Sequence, residues 1–254
     1  MLLAVDVGNT NIVFGVYDQG KWIHNWRIRT IRDKMPDEYG IMLVSLLREV
    51  DLSVDQFETI ALCSVVPPLT GYMEEMFEMY TPIQPLIINH QVETGLTFKV
   101  DNPAEVGVDL IADAVAAYHL FHDACVVVDF GTATSFTAVS AQAEFLGVSI
   151  APGVKLAASA LSGGTAQLPL VRLSAPPSAI GTNTVHAIQS GVLLGYLSLV
   201  EGMLERFAAE LPIDGRIVAT GGFAAVIAPL TDKFRMVDKL LTLDGIRLIA
   251  EKNL

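Results

Sequence analysis

Apolar positions follow two rhythms along the chain. Leu2 to Val7 and Ile12 to Tyr17 are short apolar runs on either side of Gly8-Asn9-Thr10-Asn11, a pattern that predicts a hairpin. Asp18-Gln19-Gly20 makes another turn, and a third strand is expected from Trp22 to Arg29. From Pro36 the period lengthens: Leu43, Leu46, Leu47 and Val50 stand at i, i+3, i+4 and i+7, the stripe of a helix opening on Pro36 and Asp37. Strands are expected at Thr59 to Val65 and Leu86 to Ile88, with helices after Pro67-Pro68 and from about Pro103 to Leu120. This alternation predicts a mixed sheet with helices packed on it.

The opening pattern then recurs. Cys125 to Val128 is an apolar strand running into Asp129, Phe130-Gly131-Thr132-Ala133-Thr134 is a turn, and Phe136 to Ser140 and Phe145 to Ile150 are further strands. Asp6 and Asp129 lie 123 residues apart, and each begins the pattern Asp, apolar, Gly, polar, any, polar. The same strand-turn-strand order twice argues for internal duplication. Helices are expected over Pro152 to Ser162, from about Asn183 to Ala209, and from Gly245 to Lys252, with a strand at Arg216 to Thr220 ending in Gly221-Gly222. No low-complexity linker separates the copies, so the boundary is expected within the helix near residues 105 to 120, dividing the chain into 1–115 and 116–254.

Composition narrows the partners. Apolar residues make up 52% and charged residues 17%, which suits a packed globular protein. A net charge of −12 argues against nucleic acid or an anionic membrane as the main partner. Cys63 and Cys125 sit in apolar runs and read as buried, reduced thiols. No leader is expected before the first strand, and Asp, Gly or Pro interrupts the apolar stretches before the roughly 18 residues of a membrane span, so a cytoplasmic location is expected. Met73, Met76 and Met79 are expected to pack in the core.

An Asp at a strand end followed by a glycine turn can bind phosphate. The glycine permits close backbone approach, turn amides and the hydroxyls of Thr10 or Thr132 donate to phosphate oxygens, and the carboxylate positions a hydrated magnesium ion. Taken singly, Asp6-Val7-Gly8-Asn9-Thr10 reads equally as a hairpin with an Asx turn, and Gly221-Gly222 as a tight strand-to-helix turn or a place for a flat ring or ribose. Asp109, in the apolar helix start Val106-Gly107-Val108-Asp109-Leu110-Ile111, is either a helix cap or a functional group.

The paired loops and the later Gly-Gly resemble the actin-like ATPase superfamily, and the detailed pattern is similar to the type III pantothenate kinases. The resemblance rests on Asp6-Val7-Gly8-Asn9-Thr10, Asp37-Glu38-Tyr39-Gly40, Ser64-Val65-Val66-Pro67, Asn102-Pro103-Ala104-Glu105-Val106-Gly107 and Asp129-Phe130-Gly131-Thr132-Ala133-Thr134. It continues through Pro152-Gly153, Thr165-Ala166-Gln167-Leu168-Pro169, Gly181-Thr182-Asn183-Thr184, Gln189-Ser190-Gly191 and Ala219-Thr220-Gly221-Gly222.

The resemblance implies an α/β fold of duplicated ribonuclease H-like domains with mixed five-stranded sheets. It further implies ATP-dependent phosphorylation of pantothenate to 4'-phosphopantothenate, the first step toward coenzyme A, in a homodimer. Asp6, Val7, Gly8, Asn9, Thr10, Asn11, Ile12 and Val13 would bind the ATP phosphates, with Asp6 near magnesium; Thr132, Gly221 and Gly222 would contact nucleotide. Val100, Gly107, Val108, Asp109, Leu110 and Thr184 would meet pantothenate, with Asp109 as general base, and Asp129 would ligate a monovalent cation, potassium or ammonium.

Four positions depart from the family pattern: Leu110 replaces the arginine of Gly-x-Asp-Arg, Asp113 stands where Asn is commoner, Thr137 where Asp is common, and Val148 where a second glycine usually follows Gly147. Losing the arginine removes a charge-assisted contact of about 1.5–3 kcal/mol to an anionic substrate. Leu110 therefore leaves two alternatives, a catalytically impaired nucleotide-binding regulator and a kinase for a related neutral hydroxyl compound.

Overall fold

The computed structural model describes residues 1–165 and 167–254, so Ala166 of the Thr165-Ala166-Gln167 motif lies outside the described residues. Along the chain, β1 (Leu2–Val7), β2 (Asn11–Asp18) and β3 (Lys21–Arg29) precede α1 (Pro36–Arg48), β4 (Thr59–Ser64), α2 (Pro67–Tyr80) and β5 (Leu86–Ile87). Next come β6 (Thr97–Phe98), α3 (Val108–Phe121), β7 (Cys125–Phe130), β8 (Ala133–Val139), β9 (Glu144–Pro152) and α4 (Val154–Gly164). The remainder is α5 (Thr184–Gln189), α6 (Gly195–Glu210), β10 (Ile217–Thr220), α7 (Ala224–Ile227), β11 (Met236–Val237) and α8 (Leu241–Lys252). Met1–Leu96, Asp101–Ala116 and Leu241–Leu254 form one unit; Thr97–Val100 and Ala117–Leu240 form another.

In the first unit the sheet order is β3-β2-β1-β4-β5, with β1 antiparallel to β2 and parallel to β4. Alternation sends Val5, Val7, Phe14 and Val16 into a core with Tyr39 and Leu43 of α1 and Met73, Met76 and Phe77 of α2. Met79, expected in that core, is exposed: at i+6 it lies about 120° around the helix from Met73. The other side of the sheet receives α8, which touches β1 and β4. Gly15 makes room for it, since a Cβ there would lie 2.8 Å from Leu243 and 2.7 Å from Trp22. Trp22 Nε1 donates to Asp244 at 3.0 Å, and the Arg247 guanidinium sits 4.7 Å from the Tyr17 ring centroid. The C-terminal segment thus packs with the first unit, although the 1–115 and 116–254 halves assign it to the second.

The second unit has the order β11-β10-β7-β8-β9-β6. From β9 to β11 it repeats the first sheet strand for strand: two antiparallel pairings, then two parallel ones. Against the five strands expected, it gains a sixth, because β6 pairs with β9. Helices α5 and α6 are joined through a π-helical turn, Ser190–Leu194, into one helix over Thr184–Glu210. No membrane span was expected, yet this helix is long and apolar enough to cross one. Its apolar side is occupied in the core: Ile188, Leu193, Val200 and Leu204 pack with Val126, Val128 and Phe136 of the sheet.

Candidate functional site

The first unit presents one loop and one helix start. Asp6, the penultimate residue of β1, pairs in register with Val13 of β2 and Cys63 of β4. The turn after it is closed by Gly8 N–H donating to the Asn11 carbonyl at 3.0 Å. From outside, Thr30 braces it: its N–H reaches the Thr10 carbonyl at 3.0 Å and its hydroxyl the Gly8 carbonyl at 2.6 Å. Arg32 donates to Asn9 Oδ1 at 3.1 Å, placing a cation beside the turn that the sequence reading passed over. Asn9, Thr10 and Asn11 are exposed, whereas the side chains of Val7 and Ile12 are buried in the core and leave only backbone for a ligand.

Helix α3 begins after Gly107, and its first turn carries Asp109, whose Oδ1 accepts from the Leu110 N–H at 2.8 Å. A Cβ on Gly107 would stand 2.6 Å from that oxygen, so the glycine leaves the carboxylate room. Burial pushes the Asp109 carboxyl above the ordinary carboxylate range, opposed by the donation from Leu110. Leu110 itself is 9% exposed, an apolar side chain beside the acid. One turn on, buried Asp113 accepts the Thr242 hydroxyl at 2.7 Å. The buried Cys63 thiol is raised well above its usual value, first by burial and then by the charges of Asp6, Asp109 and Asp113.

The second unit repeats the loop and adds two braces. Asp129 is the penultimate residue of β7, in register with Ser135 and Thr220. Gly221, at φ +87°, turns the end of β10 onto it: a Cβ there would lie 2.1 Å from Asp129 Oδ1 and 2.6 Å from the Phe130 carbonyl carbon. Gly153, just before α4, donates its N–H to the Thr132 carbonyl at 3.2 Å. Thr132 is exposed, while the Thr134 hydroxyl is buried and hydrogen-bonded to the Tyr196 phenol. Burial raises that phenol, the Thr134 bond lowers it, and the nearby Asp129 charge raises it again. Neither Tyr196 nor Gly153 was expected near the turn, although Pro152-Gly153 was marked by the family pattern.

Asn183 caps the helix that begins at Thr184, accepting from His186 N–H at 2.9 Å. Thr184 borders an open groove of about 870 Å³ lined also by Gly181, Ile188, Gly191, Gly195 and Tyr196. Of the expected substrate residues, Val100 and Thr184 belong to the second unit and Gly107 to Leu110 to the first. Among the described residues no three His, Cys, Asp or Glu side chains form a metal cage. One carboxylate beside an exposed glycine turn suits magnesium, which keeps water ligands and takes others from phosphate oxygens.

Known proteins place this geometry in context. The type III pantothenate kinase family pattern matches residues 2–206. The chain is 44% identical over 253 residues to the type III pantothenate kinase of Geobacillus kaustophilus, covering 100% of this chain and 98% of that protein. The corresponding protein of Exiguobacterium sibiricum is also 44% identical, with 100% of both chains covered. Among solved structures, the activator of the 2-hydroxyisocaproyl-CoA dehydratase from Clostridium difficile, with bound ADPNP, aligns at a TM-score of 0.58. That alignment covers 98% of this chain and 93% of the activator at 12% identity, a likeness of fold alone. With its duplicated actin-like ATPase fold and this match along its full length, the chain belongs to the type III pantothenate kinases.

Proposed function

We propose that this chain transfers the γ-phosphoryl group of ATP to the hydroxyl of pantothenate, giving 4'-phosphopantothenate for coenzyme A synthesis. The observation that carries the reading is the duplicated Asp-Gly turn, at Asp6 and Asp129, in a chain that also holds Asp109 in the first turn of α3. Phosphoryl transfer asks mainly for positioning and charge stabilisation, so phosphate loops, a cation and one placed carboxylate suffice. In this reading the backbone of the Gly8 turn and the Thr10 hydroxyl hold phosphate oxygens, and Asp6 would hold a magnesium ion, which would supply charge neutralisation for the phosphates. Asp109 accepts the proton of the attacking hydroxyl, and its burial supports that role by making the carboxylate a better base. Asp129 and Thr132 serve the monovalent cation and the nucleotide, with Gly221 and Gly222 against its flat part, while Val100 and Thr184 contact pantothenate.

Homodimerisation is part of the proposal. Leu146, Val148 and Ile150 form an exposed apolar row along β9, a surface suited to a second copy. Two free, buried cysteines suit the reducing cytoplasm. The test is turnover of purified protein with ATP, pantothenate, magnesium and either potassium or ammonium, alongside light scattering. ADP and phosphopantothenate should appear, faster with the monovalent cation; no product under any cation would remove the reading. The regulator alternative draws on Leu110 with the neighbouring departures from the family pattern, and product formation by the unaltered chain would dispose of it.

A further inference from the structure

We propose that the C-terminal helix α8 is a positioning element for the acceptor site: Thr242, through Asp113, and Gly245, against Ala112, fix the placement of α3 and so of Asp109. The inference rests on reading Asp109 as the base. Asp109 and Asp113 are i and i+4 on α3, one above the other on the same helix face. Asp113 is 1% exposed and accepts the Thr242 hydroxyl at 2.7 Å across 129 residues of sequence. Beside that bond the two helices meet backbone to backbone, since a Cβ on Gly245 would lie 1.9 Å from the Ala112 carbonyl oxygen.

Two contacts of different kinds thus fix both the approach of α8 to α3 and its setting along it. Apolar side chains already surround this position on α3, where Ile111, Ala112, Ala114 and Val115 are buried. A carboxylate in that setting carries a desolvation cost that a methyl group would not, and what it supplies in return is a directional contact. At its other contacts α8 is tied to the sheet: Asp244 receives the Trp22 Nε1 hydrogen, Leu243 lies over Gly15, and the helix touches β1, the strand that carries Asp6. One element therefore references the base-bearing helix to the phosphate-loop strand.

The experiment compares Thr242→Val, which keeps shape and removes the donor, with Thr242→Ser, which keeps the hydroxyl. Thr242→Val should lower kcat about tenfold with KM for ATP within about twofold of the unaltered enzyme, and Thr242→Ser should keep kcat within about twofold. Hydrogen exchange at the amides of residues 108–114 should quicken in Thr242→Val and not in Thr242→Ser. A lowered melting temperature with unchanged kcat marks a purely structural bond and overturns the proposal, as does unchanged exchange over 108–114. If Thr242→Val does not fold, Thr242→Cys, with similar size and a weaker donor, should show the same split in smaller measure. Should the unaltered protein fail to turn over pantothenate, the functional reading falls, while the exchange measurement still decides the placement of α3.

Discussion

Replacing Gly221 by Ala attacks the second loop at its tightest point. At φ +87° an L-residue occupies left-handed backbone space, which costs roughly 1–2 kcal/mol. The added methyl would also lie 2.1 Å from Asp129 Oδ1 and 2.6–2.7 Å from backbone atoms of Phe130, which β-pairing with Thr134 holds in place. Overpacking of this kind adds about 1–3 kcal/mol. At about 2–4 °C per kcal/mol for a chain of this size, melting should fall by roughly 4–20 °C. The carboxylate has to move as well, so the rise in melting temperature on adding ATP, magnesium and potassium should shrink. Gly222→Ala is the control, because no atom of the described residues lies within 4 Å of a Cβ there, and its melting temperature should match that of the unaltered chain. Circular dichroism melts of the three proteins, with and without nucleotide, read both effects. A Gly221→Ala protein that melts within 2 °C of the original and keeps the full nucleotide shift would refute this account of the turn.

Other perturbations address the acceptor side and the core. Asp109→Asn should lower kcat by about 10²–10⁴-fold, and the acid limb of the unaltered enzyme's pH–rate profile should lie above the ordinary Asp range of about 3.9. Because the folded-state pKa of Asp109 is raised, its contribution to stability is full below the unfolded value and lost as pH rises through the folded one. Asp109→Asn should therefore be more stable than the original at neutral pH and lose that advantage in acid, as urea titrations at several pH values would reveal. Leu110→Arg should raise kcat/KM for pantothenate by about tenfold or more, the worth of a charge-assisted contact, and an unchanged value would show that this site holds the substrate without that arginine. Thr137, 1% exposed between Val127 and Val148, has a buried hydroxyl without a hydrogen-bond partner among the described residues. Thr137→Val should stabilise the protein by up to about 1 kcal/mol in denaturant unfolding, and a loss of stability would mean that the hydroxyl is satisfied.

What could be read from the chain was what repeats or alternates locally. The hairpins at Asp6 and Asp129 carry strand, turn and strand in one continuous stretch, and their pairings run as the apolar pattern indicates. Two-residue strands such as β6 and β11 hold no period to detect, which is why the second sheet's extra strand went unseen. Helix α3 starts at Val108 and not near Pro103, because Pro103–Glu105 forms a separate short turn capped by Asn102. Likewise, β9 runs through Pro152, so α4 begins only after Gly153. At the site, Asp6, Asp109 and Asp129 stood out as acids at the edges of apolar runs. Thr242 and Tyr196 did not, since an ordinary Thr and Tyr gain meaning only from partners 129 and 62 residues away.

The return of the C-terminal helix to the first unit bears on the order in which the protein matures during synthesis. On the ribosome, residues of β1, β4 and α3 emerge early, but the helix that covers Gly15 and Ala112 emerges long after them. The second unit, complete once Leu240 has emerged, can close before the first one does. Until then the half of the molecule bearing Asp6 and Asp109 waits with an apolar face open. A stop codon or a bulky fusion near residue 240 would thus harm the oldest part of the chain while sparing the newer one.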